Sequence, residues 1–196
     1  MKLLLENWRR YLNEAAKGPQ DFIGMSDVII RVVDHGEGIA IRYDSQRGEQ
    51  SNKPWGEIVI ERNPEGAPSG PCDDAFMVTH SEAKHGWGPL LYDIAMEYAT
   101  MKGGGLFADR ADISAEARDV WRYYFNKRPD VAPHQLDNLD NELTPDIQVD
   151  NCDQSTAEVD WEGMETDWVR SPISKRYTKA PTTIDALRNS GKLIIE

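Results

Sequence analysis

The stretch from Ala75 to Ala108 constrains this chain more than any other. Ala75–Thr79 reads as a strand, and a polar, glycine-bearing segment follows it up to Gly88. Pro89–Met101 then places Leu90, Leu91, Ile94, Ala95, Tyr98 and Met101 on one side at helical spacing. Gly103-Gly104-Gly105 stops that helix, and Leu106–Ala108 is a short strand. A strand, a helix and a second strand in this order predict a parallel crossover. A further helix is predicted over 115–127, capped by Ser114 with Glu116 in its first turn and burying Ala117, Val120, Trp121, Tyr124 and Phe125.

Three strand-like runs precede this unit. Val28–Val33 is β-branched, Gly38–Tyr43 alternates through Ile39, Ile41 and Tyr43, and Trp55–Glu61 places Ile58 and Ile60 on one face. His35-Gly36-Glu37-Gly38 reads as the hairpin turn between the first two. An antiparallel meander followed by one parallel crossover predicts an α+β fold with a mixed sheet. Residues 3–16 read as an amphipathic helix with Leu4, Leu5, Trp8, Tyr11 and Leu12 on one stripe, ended by Gly18-Pro19. The expected organisation is an N-terminal helix over 1–17, a domain over 18–136 and an acidic C-terminal extension over 137–196. Within the extension, Trp168, Ile173 and Tyr177 are expected to dock, Thr183 to cap a helix to Asn189, and Leu193-Ile194-Ile195 to form a final strand.

Charge is distributed unevenly. The net charge is −12, yet eleven acids and no Lys or Arg fall between Asp137 and Asp167, and the rest of the chain is close to neutral. Such a block reads as a solvated segment and disfavours nucleic-acid binding. The two cysteines, Cys72 and Cys152, lie far apart without CxxC or clustered Cys/His spacing, so no metal site is expected and nothing demands an oxidising compartment. No apolar run is long enough for a membrane span, and Glu6, Arg9 and Arg10 interrupt any secretory segment, so the expected location is the cytoplasm.

Chemistry concentrates in the segment from Val78 through Lys84-His85-Gly86-Trp87-Gly88-Pro89-Leu90-Leu91. A strand that enters a glycine loop and opens a helix aims backbone N–H groups and a positive helix end at one place, which suits a phosphate. The sequence has no GxxxxGK[ST] motif and no GxGxxG with a suitably placed acid, so a nucleotide-binding domain is the weaker reading.

This stretch resembles the pyrophosphate loop of the GCN5-related N-acetyltransferase superfamily, Gln/Arg-x-x-Gly-x-Gly/Ala, with Gly86 and Gly88 on the two small positions. The order of elements over residues 26–128 is similar as well. Ala83 stands where the family has Gln or Arg, and Pro89 lacks an N–H. The resemblance implies an acyl-CoA N-acyltransferase fold that binds acetyl-CoA or coenzyme A along Val78, Lys84, His85, Gly86, Trp87, Gly88 and Leu90, and acetylates an unidentified amine. It places the proton donor to the departing thiolate on the helix after the short strand, at Tyr124 first and Tyr123 second. The base that deprotonates the amine is sought at His80 and Glu82, with Glu57 and Glu61 as further candidates.

The N-terminus supports a second comparison. Met1-Lys2 and Leu12-Asn13-Glu14 before Ala15 resemble the removable targeting peptides of internal head proteins in large tailed bacteriophages. That resemblance implies a catalytically inactive protein of the same fold, packaged in the virion interior or engaged with a phage head or host protein partner.

Overall fold

The computed structural model describes residues 16–36, 38–45, 55–62, 72–84, 86–110, 113–152, 157–159 and 165–196. The helix expected over 3–16 and the cleavage site at Glu14 lie almost wholly outside them. The chain forms two compact units. The first comprises Met1–Ile60, His80–Ala95 and Pro181–Glu196, and the second Glu61–Thr79 and Met96–Ala180. Helices and a mixed parallel and antiparallel sheet make the fold α+β, as the alternation of sequence periods predicts.

The first unit opens with α1 (Pro19–Ile23), whose N-cap Gly18 has its N–H held by the Asp21 carboxylate at 2.9 Å. Gly18-Pro19 starts a helix, because proline at the first helical position forfeits only an N–H that has no partner in any case. Strand β1 (Val28–Asp34) pairs antiparallel with β2 (Gly38–Ser45) over seven register pairs, from Val28↔Ser45 to Asp34↔Ile39. Strand β3 (Gly56–Glu61) follows β2 in the sheet and neighbours β4 (Phe76–Ala83). Ile30, Val32, Ile41, Ile58 and Ile60 are fully buried, which accounts for the β-branched and aliphatic content of these runs. At the chain's end, α4 (Thr182–Asn189) buries Ile184 and Leu187, and the last strand (Leu193–Ile195) adds to β1 in parallel, Ile30↔Leu193 through Val32↔Ile195. Thr183 is buried inside α4 and is not its cap; Pro181 holds that position and offers no side-chain acceptor.

In the second unit β4 pairs in parallel with β5 (Leu106–Ala108) through Phe76↔Leu106, Met77↔Phe107 and Val78↔Ala108. Between them runs α2 (Gly88–Lys102), which like β4 contributes residues to both units. Helix α3 (Ala115–Lys127) has the predicted bounds and cap, with the Ser114 hydroxyl accepting from the Ala117 N–H at 3.2 Å. Its Trp121 stacks on Tyr177 with ring centroids 5.1 Å apart. Tyr177 belongs to a strand over Lys175–Lys179 that lies between β5 and the strand Val131–Gln135, antiparallel to both. The C-terminal residues are thus members of the sheet. Within this strand Lys179 is buried against Glu97, an ion pair that needs both partners, since either charge alone would be desolvated without compensation.

Two features of this unit depart from the sequence reading. Cys72 and Cys152 are joined by a disulfide across a sequence separation of 80 residues, inside a small core with Ala75, Met77, Phe107 and Leu136. Part of the acidic block is built into the structure: Asp137, Asn138, Asp150 and Asn151 are all buried. Distant cysteines and unperiodic acids gave no sign of either.

The triple glycine does more than stop α2. A Cβ on Gly104 would stand 1.7 Å from the Asp73 carbonyl oxygen, so the backbone there passes too close for any side chain. Replacing Gly104 with Ala is expected to lower unfolding stability by at least about 2 kcal/mol in urea titrations. Gly24→Ala, where a Cβ finds only ordinary 3.9 Å contacts, is expected to change it by less than about 0.5 kcal/mol.

Candidate functional site

The predicted loop is present, and helix α2 begins at Gly88, one residue before the expected start. Gly86 has φ +83°, the left-handed region in which glycine is favoured. Its carbonyl accepts from the Lys17 N–H at 2.9 Å. The Trp87 carbonyl accepts from the Tyr43 hydroxyl at 2.7 Å, a buried bond. Burial pushes that hydroxyl's pKa well above the usual tyrosine range, so it stays a donor. Lys84 in turn donates its N–H to the Trp55 carbonyl at 2.7 Å, fixing the end of β4 to the start of β3.

The Trp87 side chain is buried. It stacks on Trp55 with centroids 5.1 Å apart and meets Phe22 and Tyr43 edge-on at 5.8 and 5.7 Å. The Lys17 ammonium sits 4.7 Å from the centre of its ring. The Trp87 N–H donates to the Lys84 carbonyl at 3.0 Å, closing a turn. Trp87 is therefore the anchor of the loop and not one of its phosphate donors, which corrects the sequence reading. With Pro89 lacking an N–H, the first turn of α2 offers Gly88 and Leu90, whose N–H groups have no partner four residues back within the helix.

Two properties favour an anion there. The first turn of α2 carries no acidic residue, so nothing of its own compensates the positive end of a 15-residue helix. A Cβ built on Gly88 would meet only the Ala83 Cβ, at 3.6 Å, an ordinary contact. The Leu90 side chain itself is core, and His85 lies outside the described residues.

The catalytic candidates are placed differently from one another. Strand β4 runs to Ala83, four residues past the expected end, so His80 and Glu82 are strand residues, both exposed. The β4–β5 ladder ends at Val78↔Ala108 while β4 continues for five residues. Val78 is half-buried at that point. Glu57 is buried, and Glu61 accepts from the Thr79 hydroxyl at 3.0 Å. Tyr124 and Tyr123 lie in the second unit; Tyr124 is buried, Tyr123 half-buried, with their rings 5.5 Å apart and the Arg128 guanidinium 5.2 Å from the centre of Tyr124. The structure thus gathers Lys84, Gly86, Trp87 and Gly88 with Lys17 and Tyr43 in the first unit, and leaves His80 and Glu82 facing solvent.

Tyr92 was not anticipated. It is buried on α2, and its hydroxyl lies 3.1 Å from the Ser81 hydroxyl of β4. Burial raises its pKa, partly opposed by the bond to Ser81, so it holds its proton. Its place one turn after Gly88 was the only signal available, and it falls off the apolar stripe.

No protein-family model matches the chain, and no curated protein or solved structure is significantly similar to it. Among the described residues no helix is long and apolar enough to cross a membrane.

Trp87→Ala is expected to cost about 3–5 kcal/mol of unfolding stability, since it empties the centre of the aromatic cluster. Tyr43→Phe leaves the Trp87 carbonyl buried without its donor and is expected to cost about 1–3 kcal/mol. Urea titration followed by tryptophan fluorescence checks both.

Proposed function

We propose that this protein is an acyl-CoA-dependent N-acyltransferase whose coenzyme pyrophosphate rests on the N-terminus of α2. The observation that carries the reading is the sequence β4, glycine turn, α2: a helix whose first turn carries no acid, opening directly from a strand that outruns its parallel neighbour. The N–H groups of Gly88 and Leu90 donate to the phosphate oxygens, and Lys17 and Lys84 add positive charge. Past Val78 the exposed stretch of β4 offers backbone groups to an extended acyl arm, and a strand N–H there stabilises the oxyanion of the tetrahedral intermediate. The amine attacks the thioester carbonyl once it has lost its proton, for which the exposed His80 is the base with access to solvent. The thiolate leaves with a proton from Tyr92, which lies on α2 beside Ser81 of β4 in the same unit.

Acetyl-CoA and coenzyme A are expected to raise the melting temperature of the wild-type chain, by an amount equivalent to about 2.7 kcal/mol at a hundredfold excess over Kd. Gly88→Ala, which fits the space present, should fold and retain that shift. Gly88→Trp should fold and lose it, because the indole takes the place of the phosphate. Absence of any shift in the wild type with acetyl-CoA overturns the reading.

A second reading is a non-catalytic protein on the same framework, acting in a phage head or on a host protein. What favours it is the loop itself: the Trp87 amide is committed to Lys84 and Pro89 supplies none. Intact-mass analysis of protein taken from its native particle would then show a chain that begins at Ala15.

A further inference from the structure

In the second unit, the acidic segment has its side chains inverted for a loop in water. Asp137 and Asp150 are 0% and 7% exposed, whereas Leu139, Leu143, Ile147 and Val149 are 44%, 38%, 47% and 55% exposed. Apolar side chains exposed one at a time are ordinary on a protein surface. Four on a single loop of eleven residues are not, and clustering of this kind marks an interaction site.

Polar groups hold the loop in this state. The Asp137 carboxylate accepts from the backbone N–H groups of Asn138, Leu143 and Thr144 at 2.7, 2.8 and 2.6 Å. The Thr144 hydroxyl lies 3.0 Å from Asp137 Oδ2 and 3.0 Å from Asp150 Oδ2. The Asp137 N–H donates to the Asp150 carbonyl at 2.9 Å, which joins the two ends of the loop. Asn141 Nδ2 donates to the Pro145 carbonyl at 2.7 Å and the Ile147 N–H to the Thr144 carbonyl at 2.8 Å. These bonds draw the half that carries Leu139 and Leu143 toward the half that carries Ile147 and Val149. The Val149 carbonyl accepts from the Asp73 N–H, and Cys152 is bonded to Cys72. The loop is thus ordered before any partner arrives, which lowers the entropy lost on binding.

The exposed acids decide which partner fits. Asp140, Glu142 and Asp146 are exposed among the apolar side chains, and no Lys or Arg falls between Asp137 and Asp167. This charge repels nucleic acid and anionic lipid, and with a net charge of −12 it opposes a second copy of the chain. It attracts Lys and Arg set beside apolar side chains, which is the pattern of a basic amphipathic helix. We propose that the loop over 139–149 is a docking surface for a partner protein that presents such a helix. The apolar face of the helix covers Leu139, Leu143, Ile147 and Val149, and its Lys and Arg side chains reach Asp140, Glu142 and Asp146. The acyltransferase reading makes no use of this surface.

The test is fluorescence anisotropy of a labelled synthetic peptide, leucine and lysine at helical spacing, titrated with the full-length, disulfide-intact chain at low salt and without acetyl-CoA. Saturable binding is expected, at least about tenfold tighter than for the same peptide with glutamine in place of lysine. Leu139→Ser, Leu143→Ser and Ile147→Ser together change only exposed side chains, so the variant should fold, as circular dichroism reports, and bind at least about tenfold more weakly. Asp140→Asn, Glu142→Gln and Asp146→Asn together should weaken binding as much, and this set decides the matter if the serine variant does not fold. Asp34→Asn, Glu116→Gln and Asp185→Asn remove the same charge from other exposed positions and should leave binding within about twofold. No binding by the wild type, undiminished binding in the folded loop variants, or an equal loss in the distant set overturns the proposal. Co-sedimentation with phosphatidylcholine vesicles, or a dimer in solution, that the serine variant abolishes gives the surface to lipid or to a second copy and overturns it as well.

Discussion

The buried bond from the Tyr43 hydroxyl to the Trp87 carbonyl holds the first unit's loop in place. It fixes the peptide between Gly86 and the first turn of α2, and the rings of Phe22, Trp55 and Trp87 close around it. Each of these aromatics comes from a different segment: α1, the start of β3, the loop, and β2 for Tyr43 itself. The loop is thereby committed to packing through the Gly86 and Trp87 carbonyls and the Trp87 amide. A loop with this much of its backbone tied down is rigid, and rigidity is what a phosphate cradle made of amides requires, since the donors must already be in position when the ligand arrives.

Packing also explains what was legible in the sequence. The strands expected over 28–33, 38–43 and 55–61 and the helices over 89–101 and 115–127 are present with ends within two residues, because their apolar residues pack where the sequence places them, although α2 is buried on every side from Leu90 to Ala99 and not on one face alone. Ser114 was readable as a cap because an N-cap is a local bond between near neighbours. The identity of Trp87 as an anchor was not readable. A tryptophan between two glycines looks the same whether it lines a ligand or fills a core, and only the approach of Phe22, Tyr43 and Trp55 from afar decides it. Tyr92 and Lys17 were missed for that reason too: their partners are Ser81 and the Trp87 ring, contacts that no spacing encodes.

The acidic block taught the opposite lesson. Charge density led to the expectation of a solvated segment, and Asp140, Glu142 and Asp146 are indeed exposed, as are Leu139, Leu143, Ile147 and Val149. Asp137 and Asp150 are not. The difference lies in what surrounds each carboxylate. Asp137 is buried where backbone N–H groups of its own loop converge on it, a local arrangement that substitutes for water. Composition averages over such distinctions, so a run of acids conceals the few that are structural.

The link between Cys72 and Cys152 has a consequence for how the chain ages. It ties the acidic loop to the turn that enters β4, and on that turn Asp73 forms an ion pair with Arg176 while the Asp74 carbonyl accepts from the Gly104 N–H. Once a thiol reductant opens it, the residues from Asn138 to Val149 keep their hold on the second unit through side-chain carboxylates and a few backbone bonds alone. A protease would then find a long exposed loop where it had met a cross-linked one, so nicking between Leu139 and Val149 would report the thiol state of the surroundings.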